Sequence, residues 1–151
     1  MNARIKAPSV VERVPVIPPW DAELERNCLG LALLGGKVPA WLAPEHFFAH
    51  EHRRIYEAVQ AVGGHVAKVN AYLREMNAAT LVKPTYLAEC CLEADHALGM
   101  GWAIEWERLR ELANQRALLD AMARVEVRMR AGDLDCEGAR LELRETFRSF
   151  R

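Results

Sequence analysis

Long apolar runs are absent from this sequence. Hydrophobic residues make up 51% of the chain, but they occur in runs of only a few residues. Such runs are far shorter than the roughly 20 residues that a helix needs to cross a bilayer. The N-terminus also lacks the continuous apolar core of a secretory signal peptide. We therefore expect a cytoplasmic protein that has no membrane partner.

Net charge and cysteine are also scarce. The 20 basic and 21 acidic side chains give a formal net charge of −1, so no overall field attracts the molecule to nucleic acid or to an anionic surface. Four cysteines at irregular positions are too few for a disulfide scaffold in 151 residues. Buried free thiols are the simpler expectation.

The motifs of common catalytic sites are missing. The sequence has no C-x-x-C, H-E-x-x-H or G-x-S-x-G motif and no glycine-rich dinucleotide loop. The stretch GLALLGGKV at 30–38 has the glycine spacing of a phosphate-binding loop, but Gly36 intervenes before Lys37, and Val38 replaces the hydroxyl that would hold magnesium. We expect a protein that is not an enzyme and that uses no cofactor.

Three histidines, His46, His50 and His52, are the strongest metal-ligand candidates, because histidines four apart on a helix can share an ion. However, His52 falls on the predicted buried face of its helix, and a helix boundary is expected between His46 and His52. Ordinary burial is therefore favoured over a zinc site, and we expect no bound metal.

Proline and glycine divide the chain into segments. Residues 1–19 contain four prolines without a period, and residues 1–17 are predicted to form an extended or disordered arm. Asp21 is the predicted N-cap of a first helix, and Gly35 is its predicted left-handed stop. Gly30 lies inside that helix, where glycine costs about 1 kcal/mol relative to alanine, so we expect it to permit the close approach of another helix.

Helical periodicity continues through a globular region at 18–100. After a short turn of helix at Pro44, the segment 50–62 places apolar residues on one face, and further helices are predicted from Val66 and after Pro84. No strand pattern is convincing. The predicted fold class is all-α: a helical globule of about five or six helices, followed by a C-terminal antiparallel helical hairpin.

The predicted hairpin occupies residues 101–151. A long helix extends to about Met129, Gly132 is its predicted C-cap, and Asp133 or Asp135 caps the next helix. Two helices joined by so short a turn must fold back antiparallel. A hairpin buries one face of each helix, so apolar residues remain on its outer side, with Leu118, Val125 and Phe150 as candidates.

These leftover apolar residues predict that the chain forms a homodimer or a higher oligomer through the hairpin. The residues expected at this partner or dimer interface are Leu118, Met122, Val125, Met129, Leu143, Phe147 and Phe150.

A small nucleic-acid-binding regulator is the alternative. Its basic residues would be Arg4, Lys6 and Arg13 of the arm and Arg140, Arg144, Arg148 and Arg151 of the last helix. The first helix of the hairpin alternates positive and negative side chains, which is typical of a solvated face.

Several motifs, in order, resemble the N-terminal domain of bacterial DnaB-type replicative helicases. PPWDAELERNCLGLALL has a proline pair before a helix, followed by two spaced glutamates and a Leu-Gly; HFFAHEHRRIYEAV has the aromatic, His-Arg and Ile-Tyr spacing of the second family motif. YLAEC and RELANQRALL are similar to two later family helices, and a Gly-Asp turn follows. The matched positions that we expect to be structurally important are Pro19, Glu23, Glu25, Gly30, Phe47, His52, Arg53, Ile55 and Arg116.

The resemblance implies a function as well as a fold. Such domains pair through their hairpins, build a collar above a RecA-like motor, and receive primase and helicase loader proteins. GGHVAKVN is shorter than the corresponding family loop and lacks its Asp and Thr. No P-loop motor follows the hairpin, so we expect either a helicase fragment or a stand-alone relative. It would bind primase, a helicase loader or a replicative helicase, and meet DNA only indirectly.

Overall fold

The computed structural model describes residues 17–78, 81–97 and 102–150, and the regular structure of these residues is entirely helical. The predicted all-α class is confirmed. Apart from Ile17, the predicted arm lies outside the described residues. The helices are α1 (Ala22–Leu33), a 3-10 turn (Pro44–His46), α2 (His50–Val62), α3 (Val66–Glu75), α4 (Pro84–Ala97), α5 (Trp102–Ala131) and α6 (Cys136–Ser149).

The helix ends follow the predicted capping residues. Asp21 accepts a hydrogen bond from the Leu24 amide at 3.0 Å, and Asp135, rather than Asp133, accepts one from the Gly138 amide at 2.8 Å. Gly35 has a φ of +74° and Gly132 a φ of +79°, a left-handed conformation that few other residues adopt without strain. Local sequence therefore determines where α1 and α5 stop.

The centre of the globule is the contact between α1 and α4. A Cβ atom built on Gly30 would lie 2.0 Å from the Cys90 carbonyl oxygen, so no larger residue fits without moving the backbone of α4. The predicted close approach at Gly30 is confirmed, and the neighbouring helix is α4. Around this contact, Leu29, Phe47 and Ile55 are fully buried.

Helix α5 has two different environments along its 30 residues. Its N-terminal part packs on the globule through Trp106 and Leu109, which are 5% and 0% exposed. Farther along, α6 lies against it: Val125 and Ala139 are buried, and Arg128 forms an ion pair with Glu142. No helix of the described residues is long and apolar enough to cross a membrane.

Candidate interaction surfaces and the polar network of the globule

A buried carboxylate joins three segments of the globule. The Glu25 side chain is 1% exposed and accepts hydrogen bonds from the backbone amides of Phe48 and Ala49 at 2.5 and 3.3 Å. Its Oε2 atom also lies 2.5 Å from the Nδ1 atom of His52. Removing a carboxylate from water is costly unless it gains such partners, so this site fixes α1 against the start of α2.

His52 continues the network to α4. Its Nε2 atom lies 2.6 Å from the Tyr86 hydroxyl, and the two rings are stacked with centroids 5.9 Å apart. Burial raises the pKa of Tyr86 to about 12, with a further contribution from Cys90. A phenol with so high a pKa remains neutral near pH 7 and is a poor nucleophile. Glu25, His52 and Tyr86 therefore form a hydrogen-bond chain that connects α1, α2 and α4.

Two arginines bind backbone carbonyls around the 3-10 turn. Arg53 donates from Nε to the Phe47 carbonyl at 2.7 Å. Arg116 of α5 donates to the carbonyls of Pro19 and His46 at 2.9 and 2.7 Å, and its guanidinium lies 5.6 Å from the Phe48 ring centroid. Arg116 thus ties α5 to two separate segments of the globule.

Most of the motif residues predicted from the sequence therefore lie in one region of the molecule. They are buried there, or their side chains form hydrogen bonds with backbone groups. Pro19 contributes its carbonyl, whereas Glu23 is exposed in the first turn of α1. The long-range partners of this region were not predictable from local spacing. In particular, nothing in the local sequence marks Tyr86 as the partner of His52.

The three histidines are not brought together as a metal site. The His46 ring contacts the backbone of Ala43 in its own turn, His50 is exposed, and His52 is held by Glu25 and Tyr86. Within the described part of the chain, no group of three or more His, Cys, Asp or Glu side chains is placed to hold a metal ion.

The first candidate interaction surface lies along the junction of α5 and α6. We call it the seam groove; it has a volume of about 370 Å³ and is lined by Met122, Val125, Glu126, Met129, Arg130 and Leu143. Met122 and Met129 remain 50% and 40% exposed, and nearby Phe147 is 58% exposed. These three residues were predicted at the interface, and their side chains are available to a partner.

Val125 corrects one of the sequence expectations. It was predicted among the residues left on the outer side of the hairpin, but its side chain is 6% exposed because α6 covers it. Leu118 and Phe150 are half-buried, and the Phe150 ring lies edge-on to Phe147 with centroids 6.0 Å apart. Without the position of α6 around α5, the sequence could not separate covered from outer apolar residues.

A second exposed apolar surface, which was not predicted, lies on the opposite side of α5. Leu119, Ala123 and Val127 lie on the side of α5 away from Val125, and we call them the back face. Leu119 is 49% exposed and Val127 is 66% exposed. Their spacing of four residues was a usable signal, because residues at i, i+4 and i+8 lie on one side of a helix.

The basic residues proposed for nucleic acid are largely paired or outside the described residues. Arg140 forms an ion pair with Glu137 at 2.6 Å, and Arg148 forms one with Glu145 at 2.7 Å. The positions outside the described residues are Arg4, Lys6, Arg13 and Arg151.

Comparison of the chain with models of known protein families and with curated proteins gives no match. The resemblance to the helicase N-terminal domain therefore rests on the motif residues themselves.

Proposed function

We propose that this chain is a non-enzymatic assembly module of the replicative helicase N-terminal type. It acts in DNA replication by binding a second copy of itself and a primase, a helicase loader or a replicative helicase. The observation that carries this proposal is the exposure of Met122, Met129 and Phe147 beside the seam groove. Large apolar side chains grouped on one surface are typical of an interaction site.

Apolar burial at this surface offsets much of the free-energy cost of self-association. Fully burying one large apolar side chain contributes about 1.5 to 3 kcal/mol, and Met122, Met129 and Phe147 have about half of their surface left to bury. Three such side chains from each of two copies therefore contribute roughly 5 to 9 kcal/mol, which is comparable with the about 4 to 15 kcal/mol that association costs in lost freedom. A two-fold dimer would place the same groove of both copies face to face, with Glu126 and Arg130 at the rim.

The motif residues give a second, independent line of support. Glu25, His52 and Arg116 match the helicase motifs, and each makes buried contacts between separate segments of the globule. Residues with such contacts are constrained in any protein that shares this arrangement of helices. The order of the described helices also agrees with what the resemblance implies: a helical globule is followed by the 30-residue α5 and the 14-residue α6, which contact each other.

Self-association is tested by sedimentation velocity of the full chain over a range of concentrations. We expect a dimer or a higher oligomer at tens of micromolar, and we expect Phe147→Glu and Met129→Glu to shift it toward monomer. Leu141→Glu is the matched control, because Leu141 is 49% exposed on α6 but does not line the seam groove. A strictly monomeric wild-type protein at these concentrations would overturn the proposal.

The replication partner is tested separately with purified primase, helicase loader and replicative helicase from the source organism. Comigration with one of them in size-exclusion chromatography, lost in Phe147→Glu or in a second seam-groove variant, is the expected result. Binding to none of the three would refute the role in replication even if the chain dimerises. We expect no ATP hydrolysis by the isolated chain.

A DNA-binding measurement on the same purified protein tests the alternative that the chain is a nucleic-acid-binding regulator. Fluorescence anisotropy with labelled single-stranded and double-stranded DNA at low salt should give no binding under the proposal. Binding that falls steeply with added salt would instead support the regulator. The pairing of Arg140 and Arg148 with neighbouring glutamates already reduces the charge that such a site would offer.

A further inference from the structure

We propose that Met122 and Met129 are oxidation sites through which a peroxide reverses self-association. The two residues lie seven positions apart on α5, close to two helical turns, and both line the seam groove. Their thioethers are the oxidisable groups of that groove, because its other apolar residues, Val125 and Leu143, carry only hydrocarbon side chains. The inference rests on the proposed function, since it concerns the regulation of the same surface.

Both methionines are accessible to a small oxidant in a single copy of the chain. Met122 is 50% exposed and Met129 is 40% exposed. Met76 is 60% exposed, but it follows the C-terminal end of α3 and lines a different hollow, between α2 and α3. Peroxide should therefore reach all three residues, and oxidation should alter the seam groove at only two of them.

The reaction needs only the oxidant and the side chain. Hydrogen peroxide transfers one oxygen atom to the thioether sulfur: the O–O bond breaks, an S–O bond forms, and the second oxygen leaves as water. The sulfur is oxidised by two electrons, and the peroxide is reduced by two. The product, methionine sulfoxide, is polar, and methionine sulfoxide reductases convert it back to methionine.

The seam groove offers a sulfoxide oxygen few hydrogen-bond donors. A polar group that is buried without a hydrogen bond opposes association. Among the described residues that line the groove, Arg130 is the only one with a side-chain donor, and its guanidinium already contacts the Glu126 carboxylate at 3.0 Å. In a two-fold dimer, four sulfoxides would lie in the apolar part of the contact, and we expect the dissociation constant to rise about a hundredfold or more.

Self-association should in turn protect both sulfur atoms. A second copy that covers the seam groove keeps peroxide away from it, so oxidation proceeds through the single copies that are present at equilibrium. Oxidation of Met122 and Met129 should therefore become slower as the protein concentration rises, whereas oxidation of Met76 should not. Each oxidised copy is removed from the population that can associate, and the equilibrium shifts toward monomer.

The test is sedimentation velocity of the full chain before and after treatment with hydrogen peroxide. Dithiothreitol is added after the peroxide, because it reverses disulfide and sulfenic acid formation at cysteines such as the exposed Cys136 and leaves methionine sulfoxide intact. Peptide mapping by mass spectrometry measures the sulfoxide at each methionine. We expect the oxidised wild type to become monomeric, and we expect treatment with methionine sulfoxide reductases for both epimers to restore self-association.

A double variant, Met122→Leu with Met129→Leu, identifies the groups responsible. Leucine keeps the apolar volume of methionine but has no sulfur, so this variant should associate both before and after peroxide. Met76→Leu is the matched control and should become monomeric after peroxide, as wild type does. All variants should keep the wild-type circular dichroism and melting temperature.

The outcomes separate this inference from the proposed function. A monomeric wild type before peroxide would overturn the proposed function, and the inference with it. If untreated wild type associates and still does so equally tightly with both methionines fully oxidised, only the inference is wrong. It is also wrong if peroxide dissociates the double leucine variant, or if the oxidation rates of Met122 and Met129 do not depend on protein concentration.

Discussion

The Nδ1 atom of His52 lies 2.5 Å from the Oε2 atom of Glu25, although 27 positions separate the two residues in the chain. Both side chains are almost fully buried. The contact joins α1 to α2, and His52 also extends it to Tyr86 of α4. One hydrogen-bond chain therefore sets the relative positions of three helices.

Removal of the Glu25 carboxylate should destabilise the protein strongly. Glu25→Ala leaves His52 and the amides of Phe48 and Ala49 without their buried acceptor, and we expect a loss of about 3 kcal/mol in the free energy of unfolding. Urea denaturation followed by circular dichroism measures it. Glu23→Ala is the matched control, because Glu23 is exposed in the same first turn and should cost less than about 1 kcal/mol. Equal losses in the two variants would contradict a structural role for Glu25.

Alanine at position 30 should also be destabilising, although alanine favours helices. The added Cβ would meet the Cys90 backbone at 2.0 Å, so α1 and α4 must separate, and we expect a loss of about 2 kcal/mol or more. Gly138→Ala is the control. Its Cβ would meet the flexible Leu134 side chain at 2.6 Å, and the gain in helix propensity of up to about 1 kcal/mol should largely offset this. Thermal melting of both variants gives the comparison, and a stable Gly30→Ala protein would refute the close approach.

Replacement of Arg116 by lysine should destabilise the protein, although the positive charge is kept. A single ammonium cannot hold the carbonyls of Pro19 and His46 in the geometry of two guanidinium nitrogens, and we expect Arg116→Lys to lose about 2 kcal/mol of stability. Arg124→Lys keeps the charge at an exposed position of the same helix and should be neutral. Hydrogen exchange should show faster exchange near Phe48 in the first variant only. If the two lysine variants have the same melting temperature, the hydrogen bonds of Arg116 contribute little to the stability of the fold.

Stability should decrease above about pH 9 because of a buried thiol. Burial raises the pKa of Cys90 from about 9 to about 12, with a smaller contribution from Glu93. The unfolded chain therefore loses this proton at lower pH than the folded protein does. The stabilisation is complete below about pH 9 and is lost as pH rises toward 12, at a rate of up to about 1.4 kcal/mol per pH unit.

The measurement is the free energy of unfolding as a function of pH in wild type, Cys90→Ala and Cys136→Ala. The decline above pH 9 should be shallower in Cys90→Ala and unchanged in Cys136→Ala, because Cys136 is exposed. Identical slopes in all three proteins would show that Cys90 is not the group responsible.

The local features of this fold were predictable from the sequence. Asp21, Gly35 and Gly132 determine helix ends through the preferences of their own side chain or backbone, so a few neighbouring residues are enough to predict these ends. The segment 50–62 forms α2 at the predicted bounds, because its apolar residues repeat with the period of a helix. The all-α class follows from these local signals.

The features that depend on distant contacts were not predictable. Tyr86 gave no signal as the partner of His52, because 34 positions separate them. Val125 and Val127 are the same residue type on one helix, and only the position of α6 decides that the first is covered and the second exposed. The sequence predicts seven apolar residues at an interface, but it does not predict the back face, because that surface depends on which side of α5 is covered by α6.

The bidentate contact of Arg116 gives the molecule a pivot. Its guanidinium holds the carbonyl that precedes α1 and the carbonyl that ends the 3-10 turn, while the far end of α5 lies about 22 Å beyond this point. A rotation of about 5° at Arg116 would displace that end by about 2 Å. Small changes in the angle at which α5 leaves the globule are therefore magnified at the two exposed surfaces that it carries.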